Sequence, residues 1–252
     1  MLSILISLAA FIVASISDLK KREVSDGLWL IYGPTGAVLT LLRFAINPSL
    51  VRFGLLSIGL TAMLAFSLCR LGFFGGADAK AFICLAVSLP LPPTTMGPVT
   101  GYVHPFFPIT VMITSFLCSA AIIPWIAMKN LKTYLTKDSS MFDGLNEEHW
   151  WRKIAVFVIG FPIARRDLRK RRFLYPLEEV SRSTGRPHRT LRLFNAQLDH
   201  DLLVSEYLNS FAEADSDAKV WVTPGLPMLL FTLLGLVVSI CLGDVIFIQV
   251  FK

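Results

Sequence analysis

Among 252 residues, two aspartates draw attention through their surroundings. Asp18 closes the apolar run Leu2–Ser17, and Asp78 follows the apolar run Phe53–Leu71 after a short glycine-rich stretch. An ionisable side chain at membrane depth costs about 2.5–3.5 kcal/mol on insertion scales, so each one needs a reason to be there. Two carboxylates held close together cannot both ionise cheaply, and the pair then shares a proton. The ionised member can activate a water while the protonated one donates to a carbonyl oxygen, which is the chemistry of amide hydrolysis. Gly75, Gly76 and Ala77 stand directly before Asp78. Small residues there permit close approach of an extended backbone to the carboxylate. The same stretch also reads as a plain turn with Asp78 capping the next helix, and Lys20–Arg22 could simply pair with Asp18.

The elements that must carry these residues are membrane helices. The chain is 54% hydrophobic and only 17% charged, with a mean hydropathy of +0.61. Soluble domains carry about 25% charged residues. Apolar blocks at Leu2–Ser17, Leu28–Ile46, Phe53–Leu71, Phe106–Met128 and Pro227–Phe251 approach the roughly 20 residues that a bilayer core requires. Ala79–Leu91 is shorter and supplies a sixth, partly buried segment. The expectation is a helical bundle of about six transmembrane helices with a small α+β insertion before the last. The expected divisions are 1–128, 129–222 and 223–252. Bases follow the first, third and fifth segments, which by the positive-inside rule puts the N-terminus outside and 129–222 in the cytoplasm. Asp18 and Asp78, two crossings apart, then share the cytoplasmic face. A net charge of +6 distributed in this way reads as topology and lipid contact rather than nucleic-acid binding.

The insertion holds 16 of the 24 Lys+Arg and 13 of the 18 Asp+Glu. Within it, Ile154–Ala164 is apolar but too short to cross, and reads as a buried strand or an interfacial segment. Arg165–Arg172 contains six bases and reads as solvated or lipid-facing. Asp244 falls far along the last helix, away from the other two aspartates, as a polar anchor near the outer interface. Asp26 is placed to cap the second helix. Cys69, Cys84, Cys118 and Cys241 sit singly in apolar segments, giving neither a disulfide framework nor a zinc site. No HExxH or GxSxG occurs, so neither a metal nor a cofactor is expected, and nothing sets an oligomeric state. A transporter or scaffold using the aspartate pair to bind a proton or cation is the alternative from a different class.

Gly75-Gly76-Ala77-Asp78-Ala79-Lys80 resembles the GxGD signature of the type IV prepilin peptidases and their archaeal relatives, with Ala77 in place of the second glycine. Asp18-Leu19-Lys20-Lys21-Arg22 resembles that family's first motif, in which an aspartate closes the first helix ahead of basic residues. Trp221-Val222-Thr223-Pro224 and Gly243-Asp244 are similar to archaeal preflagellin peptidases, and the cysteine-rich insert of many bacterial members is absent. The resemblance implies an intramembrane aspartyl endopeptidase with Asp18 and Asp78 as its dyad. It implies a multi-pass protein of an archaeal plasma membrane, working at the cytoplasmic face. Its partner would be an archaellin or type IV pilin-like precursor, cut after a short basic leader.

Overall fold

The computed structural model describes residues 1–93, 104–136, 139–145, 147–168, 171, 173–181, 188–192, 204–205, 207 and 218–244. Most of the expected loop Pro90–Pro105 and the end of the last helix lie outside these residues. The chain divides into two units, Met1–Ser119 with Pro227–Lys252, and Ala120–Leu226. The first boundary falls inside the fifth apolar segment, where the helical stretch 107–136 is interrupted by a turn at Ala121.

The first unit contains α1 (Leu2–Lys21), α2 (Asp26–Ile46), α3 (Val51–Arg70), α4 (Gly76–Ser88) and α5 (Phe107–Ala120). Its last described helix is Met228–Cys241, called α9 below. Six crossings were expected. Among the described residues four helical stretches are long and apolar enough to span: Leu2–Lys21, Asp26–Ile46, Pro48–Arg70 and Phe107–Thr136. At about 1.5 Å per residue, the 13-residue α4 and the 14 described residues of α9 cover only ~20 Å each. Large apolar side chains such as Leu30, Ile31, Leu41, Phe53 and Leu55 face outward from these helices. Water would oppose that exposure, whereas lipid welcomes it. The chain is a multi-pass membrane protein.

Small residues govern how these helices pack. Gly54, Ser57, Thr61 and Ala65 form one buried face of α3, the composition that lets membrane helices approach closely. On α2, a Cβ at Gly36 would come within 2.5 Å of the Ser88 Cβ. Three hydroxyls then join α1, α2 and α4 in the apolar interior. Tyr32 donates to Ser7 Oγ at 2.8 Å, and Ser7 Oγ stands 3.3 Å from Ser88 Oγ. Ser7 spends its own proton on the Ser3 carbonyl, so Ser88 is the donor in that pair. Ser25, rather than Asp26, caps α2 by accepting from the Gly27 N–H; Asp26 instead reaches across to Lys80 at 2.6 Å.

The second unit begins with α6 (Ile122–Thr136) and continues with α7 (Trp150–Ile159) and the short helix α8 (Arg165–Leu168). Its strands are β1 (Phe161–Ala164), β2 (Leu174–Pro176), β3 (Glu178–Ser181), β4 (His188–Leu191) and β5 (Lys219–Pro224). The apolar run Ile154–Ala164 thus divides at Gly160 between a helix end and a strand. β5 is central in an antiparallel sheet of order β1-β5-β2, and β3 pairs with β4. Val220, Trp221 and Val222 are all fully buried, as befits a strand covered on both faces.

The polar centre of this unit is Glu178, whose side chain is wholly buried. Arg189 grips it with two donors at 2.9 and 2.8 Å, the Tyr207 hydroxyl donates at 3.0 Å and the Trp221 N–H at 2.8 Å. A buried carboxylate with this many donors is tolerated, whereas removal of one partner strands the other's charge. Burial, reinforced by the adjacent Glu178 carboxylate, pushes the Tyr207 phenol above its ordinary range.

Arg189→Met is therefore expected to cost about 3–5 kcal/mol, read as a lower unfolding temperature and faster tryptic cleavage within Ala120–Leu226. Alkali gives a second expectation. The unfolded chain releases the Tyr207 proton first, so this stabilisation is complete below about pH 10 and falls away above it. Tyr207→Phe should flatten that alkaline loss in a pH series of thermal melts.

Candidate active site

Asp18 sits in the last turn of α1, on the same helix face as the buried Phe11, Ala14 and Ser15. It is only 9% exposed. Its carboxylate is met by the beginning of α9, where the Leu229 N–H donates to Oδ2 at 3.4 Å. Ser15 Oγ donates back to the Leu229 carbonyl at 3.1 Å, so two turns of α1 clasp one residue of α9. The first amides of a helix lack intrahelical acceptors and carry a partial positive charge, which suits a carboxylate. Arg22 adds a full charge. It ends α1 in the left-handed conformation, φ 57°, which holds its guanidinium 3.8 Å from Asp18 Oδ1. That backbone geometry is costly for arginine, and such strain is characteristic of functional sites.

Asp78 arrives through a tight turn. Gly72 takes φ 79°, a left-handed position suited to glycine, and lets Phe73 N–H bond back to the Leu68 carbonyl at the end of α3. Phe74 is buried, stacked on Phe82 of α4 at 5.3 Å and on Phe116 of α5 at 5.4 Å. This ring anchors the turn to both helices. Asp78 lies in the first turn of α4, half-buried, and accepts from the Gly75 N–H at 3.0 Å. Gly75 has no side chain, so only the reciprocal limb of a capping box forms. At Gly75 a Cβ would press within 3.2 Å of Asp78 Oδ2, while at Gly76 a Cβ would meet nothing within 4 Å. The backbone at Gly76 is therefore approachable; Ala77 is partly buried and packs against the apolar core.

The two aspartates share one end of the bundle. Asp18 closes α1, Asp78 opens α4, and the Asp26–Lys80 ion pair ties the starts of α2 and α4 together there. Asp244 is not part of this arrangement: it is buried and accepts from Thr110 of α5 at 3.2 Å. It lies just past the C-terminal end of α9, whereas Asp18 meets the start of that helix. Among the described residues no cluster of His, Cys, Asp and Glu could hold a metal ion. Sequence reasoning missed Leu229, because a backbone donor has no signature in residue type.

Residues 5–123 match the type IV leader peptidase family, and residues 152–245 match the archaeal peptidase A24 C-terminus, type II. The chain belongs to the type IV leader peptidase family. A preflagellin peptidase of Methanocaldococcus jannaschii is 24% identical, the alignment covering 97% of this chain and 95% of that protein. Both aspartates of this leader peptidase fall within the first matched region, and Leu229, which contacts Asp18, falls within the second.

The spacing of α2 and α4 positions Asp78 and can be tested at two glycines. Gly36→Ala should destabilise this peptidase by about 1–3 kcal/mol, since the new methyl must displace Ser88. Gly59→Ala meets nothing within 4 Å and should stabilise α3 by about 0.5–1 kcal/mol. Opposite shifts in the unfolding temperature of the detergent-solubilised protein are expected; shifts of the same sign would contradict the packing.

Proposed function

We propose that this leader peptidase is an intramembrane aspartyl endopeptidase in which Asp18 and Asp78 form the catalytic pair. The observation that supports the reading is the placement of Asp18 in the last turn of α1 and of Asp78 in the first turn of α4, at one end of an apolar bundle and beside an approachable glycine backbone. The ionised carboxylate takes a proton from water, and the water oxygen attacks the scissile carbonyl carbon. The protonated carboxyl gives its proton to the carbonyl oxygen, forming a neutral tetrahedral diol. Collapse of the diol breaks the C–N bond as the now ionised carboxylate takes a hydroxyl proton and its protonated partner gives one to the departing nitrogen, which restores the shared proton. No metal or other cofactor takes part. The family match favours hydrolysis over a transporter or scaffold.

The substrate is a preflagellin-like or type IV pilin-like precursor, a reading supported by the name of the Methanocaldococcus jannaschii relative. A basic leader stays in the cytoplasm by the same preference that orients membrane helices. With the N-terminus of this peptidase outside, Asp18 and Asp78 would stand at the cytoplasmic face, level with the junction between leader and hydrophobic helix. The enzyme would then work in an archaeal plasma membrane.

Asp18→Asn and Asp78→Asn should each lower precursor cleavage in membranes by roughly 10²–10⁴-fold or more, with expression and insertion preserved. Normal processing by both variants would overturn the mechanism. A proton shared by two carboxylates also predicts a bell-shaped rate profile under conditions where chemistry limits turnover. The acid limb reports loss of the base, and the alkaline limb reports loss of the last shared proton.

A further inference from the structure

The helix α7 has two apolar faces, and the fold of its unit uses only one. Val156 is fully buried in a cluster with Trp221, Met141, Leu145, Leu177 and Leu191. On the opposite side Trp150, Trp151 and Ile154 form a stripe that is 72%, 47% and 55% exposed. At 100° per residue these three span one arc, and Val156 lies diametrically across the helix. Lys153 borders the stripe; Arg152 lies nearer the Val156 side, paired with Glu148 at 3.3 Å, with its guanidinium 5.4 Å from the Trp151 ring centroid. The neighbouring α6 is tied to α7 by Asn130, whose amide donates to the Phe157 and Gly160 carbonyls at 2.7 and 2.6 Å. It too exposes large apolar side chains, Trp125, Met128, Leu131 and Leu135, with Lys129 and Lys132 among them.

Two adjacent tryptophans and an isoleucine, with Lys153 beside them and Lys129 and Lys132 on the neighbouring helix, suit an interface rather than bulk water or hydrocarbon. Tryptophan concentrates at headgroup level because its ring is apolar while its N–H is polar. Bases beside such a stripe favour anionic lipid. The chain arrives at this face through α6, which forms the second part of the apolar stretch 107–136. We propose that α7 is an interfacial helix, laying Trp150, Trp151 and Ile154 into the anionic headgroup region of the bilayer that the protein spans. The unit is thereby held on the membrane surface through its own helix as well as through its chain connections. This inference requires only that the protein is membrane-embedded; it stands or falls independently of Asp18 and Asp78.

The test uses the full chain in vesicles of phosphatidylcholine with phosphatidylglycerol. A fluorophore is attached at position 154 in an Ile154→Cys variant whose four native cysteines are replaced, and at position 143 in a matching Asp143→Cys variant. Asp143 is an exposed turn residue and serves as the water-facing reference. Lipids carrying a spin label high on the acyl chain should quench the label at 154 several-fold more than lipids labelled near the chain end. Aqueous iodide should quench it several-fold less than the label at 143. Removing phosphatidylglycerol should lower the lipid quenching by about twofold; unchanged quenching would overturn the anionic assignment. Equal iodide quenching at 154 and 143 would overturn the proposal, and so would shielding from both iodide and lipid, which would mean a covering protein. Native cleavage by the labelled Ile154→Cys protein confirms that the label reports on the folded enzyme.

Discussion

A carboxylate buried in an apolar helix bundle must be met by fixed polar partners, and Asp18 sets that requirement for the first unit. Neither lipid nor packed side chains can replace the hydration it gives up. Three features answer the need: the Leu229 amide at the start of α9, the strained end of α1 that swings Arg22 alongside, and the Ser15 bond that fixes α9 in place. Helices α1 and α9 stand at opposite ends of the described chain, yet one carboxylate requires both. This dependence explains why a helix that brings no acid of its own to this end still bears on the site.

The same logic recurs in the rest of the molecule at polar nodes of different kinds. Tyr32, Ser7 and Ser88 tie three helices by hydroxyls alone, which suits a region where a charge would be expensive. Glu178 and Arg189 use full charges, with further donors from Tyr207 and Trp221, inside a small mixed unit of little apolar volume. In each case the bonds link segments distant in sequence, so they specify which elements meet rather than merely adding stability. The Asp26–Lys80 pair is the exposed counterpart. Its energetic worth is small, but it lies where α2 and α4 begin and so bears on how Asp78 is presented.

Legibility in the sequence followed residue type. Asp18 and Asp78 were visible because acids at the edges of apolar runs are conspicuous, and the family followed from the residues around them. The long helices were visible through length and hydropathy, whereas α4 fell short because the glycine-rich turn before it and Pro90 after it leave only 13 helical residues. Asp26 looked like a cap, but Ser25 was one residue nearer the chain's entry and took that role. The partner of Asp244 was not visible, because Thr110 is 134 residues away and has no motif to announce it. The Leu229 amide, the Ser7–Tyr32–Ser88 ties and the Glu178 centre were hidden for the same reason. Each is a long-range pairing of common groups, and one sequence carries no record of pairing.

The central claim is that Asp18 and Asp78 face one another across the space where a peptide bond would lie. Cysteines can be placed at both positions in a chain lacking its four native cysteines, and membranes then treated with a short bifunctional thiol reagent. Intact-mass spectrometry distinguishes the outcomes directly. The account predicts a single reagent bridging both thiols within one chain. Two separate adducts, one on each thiol and no bridge, would contradict it.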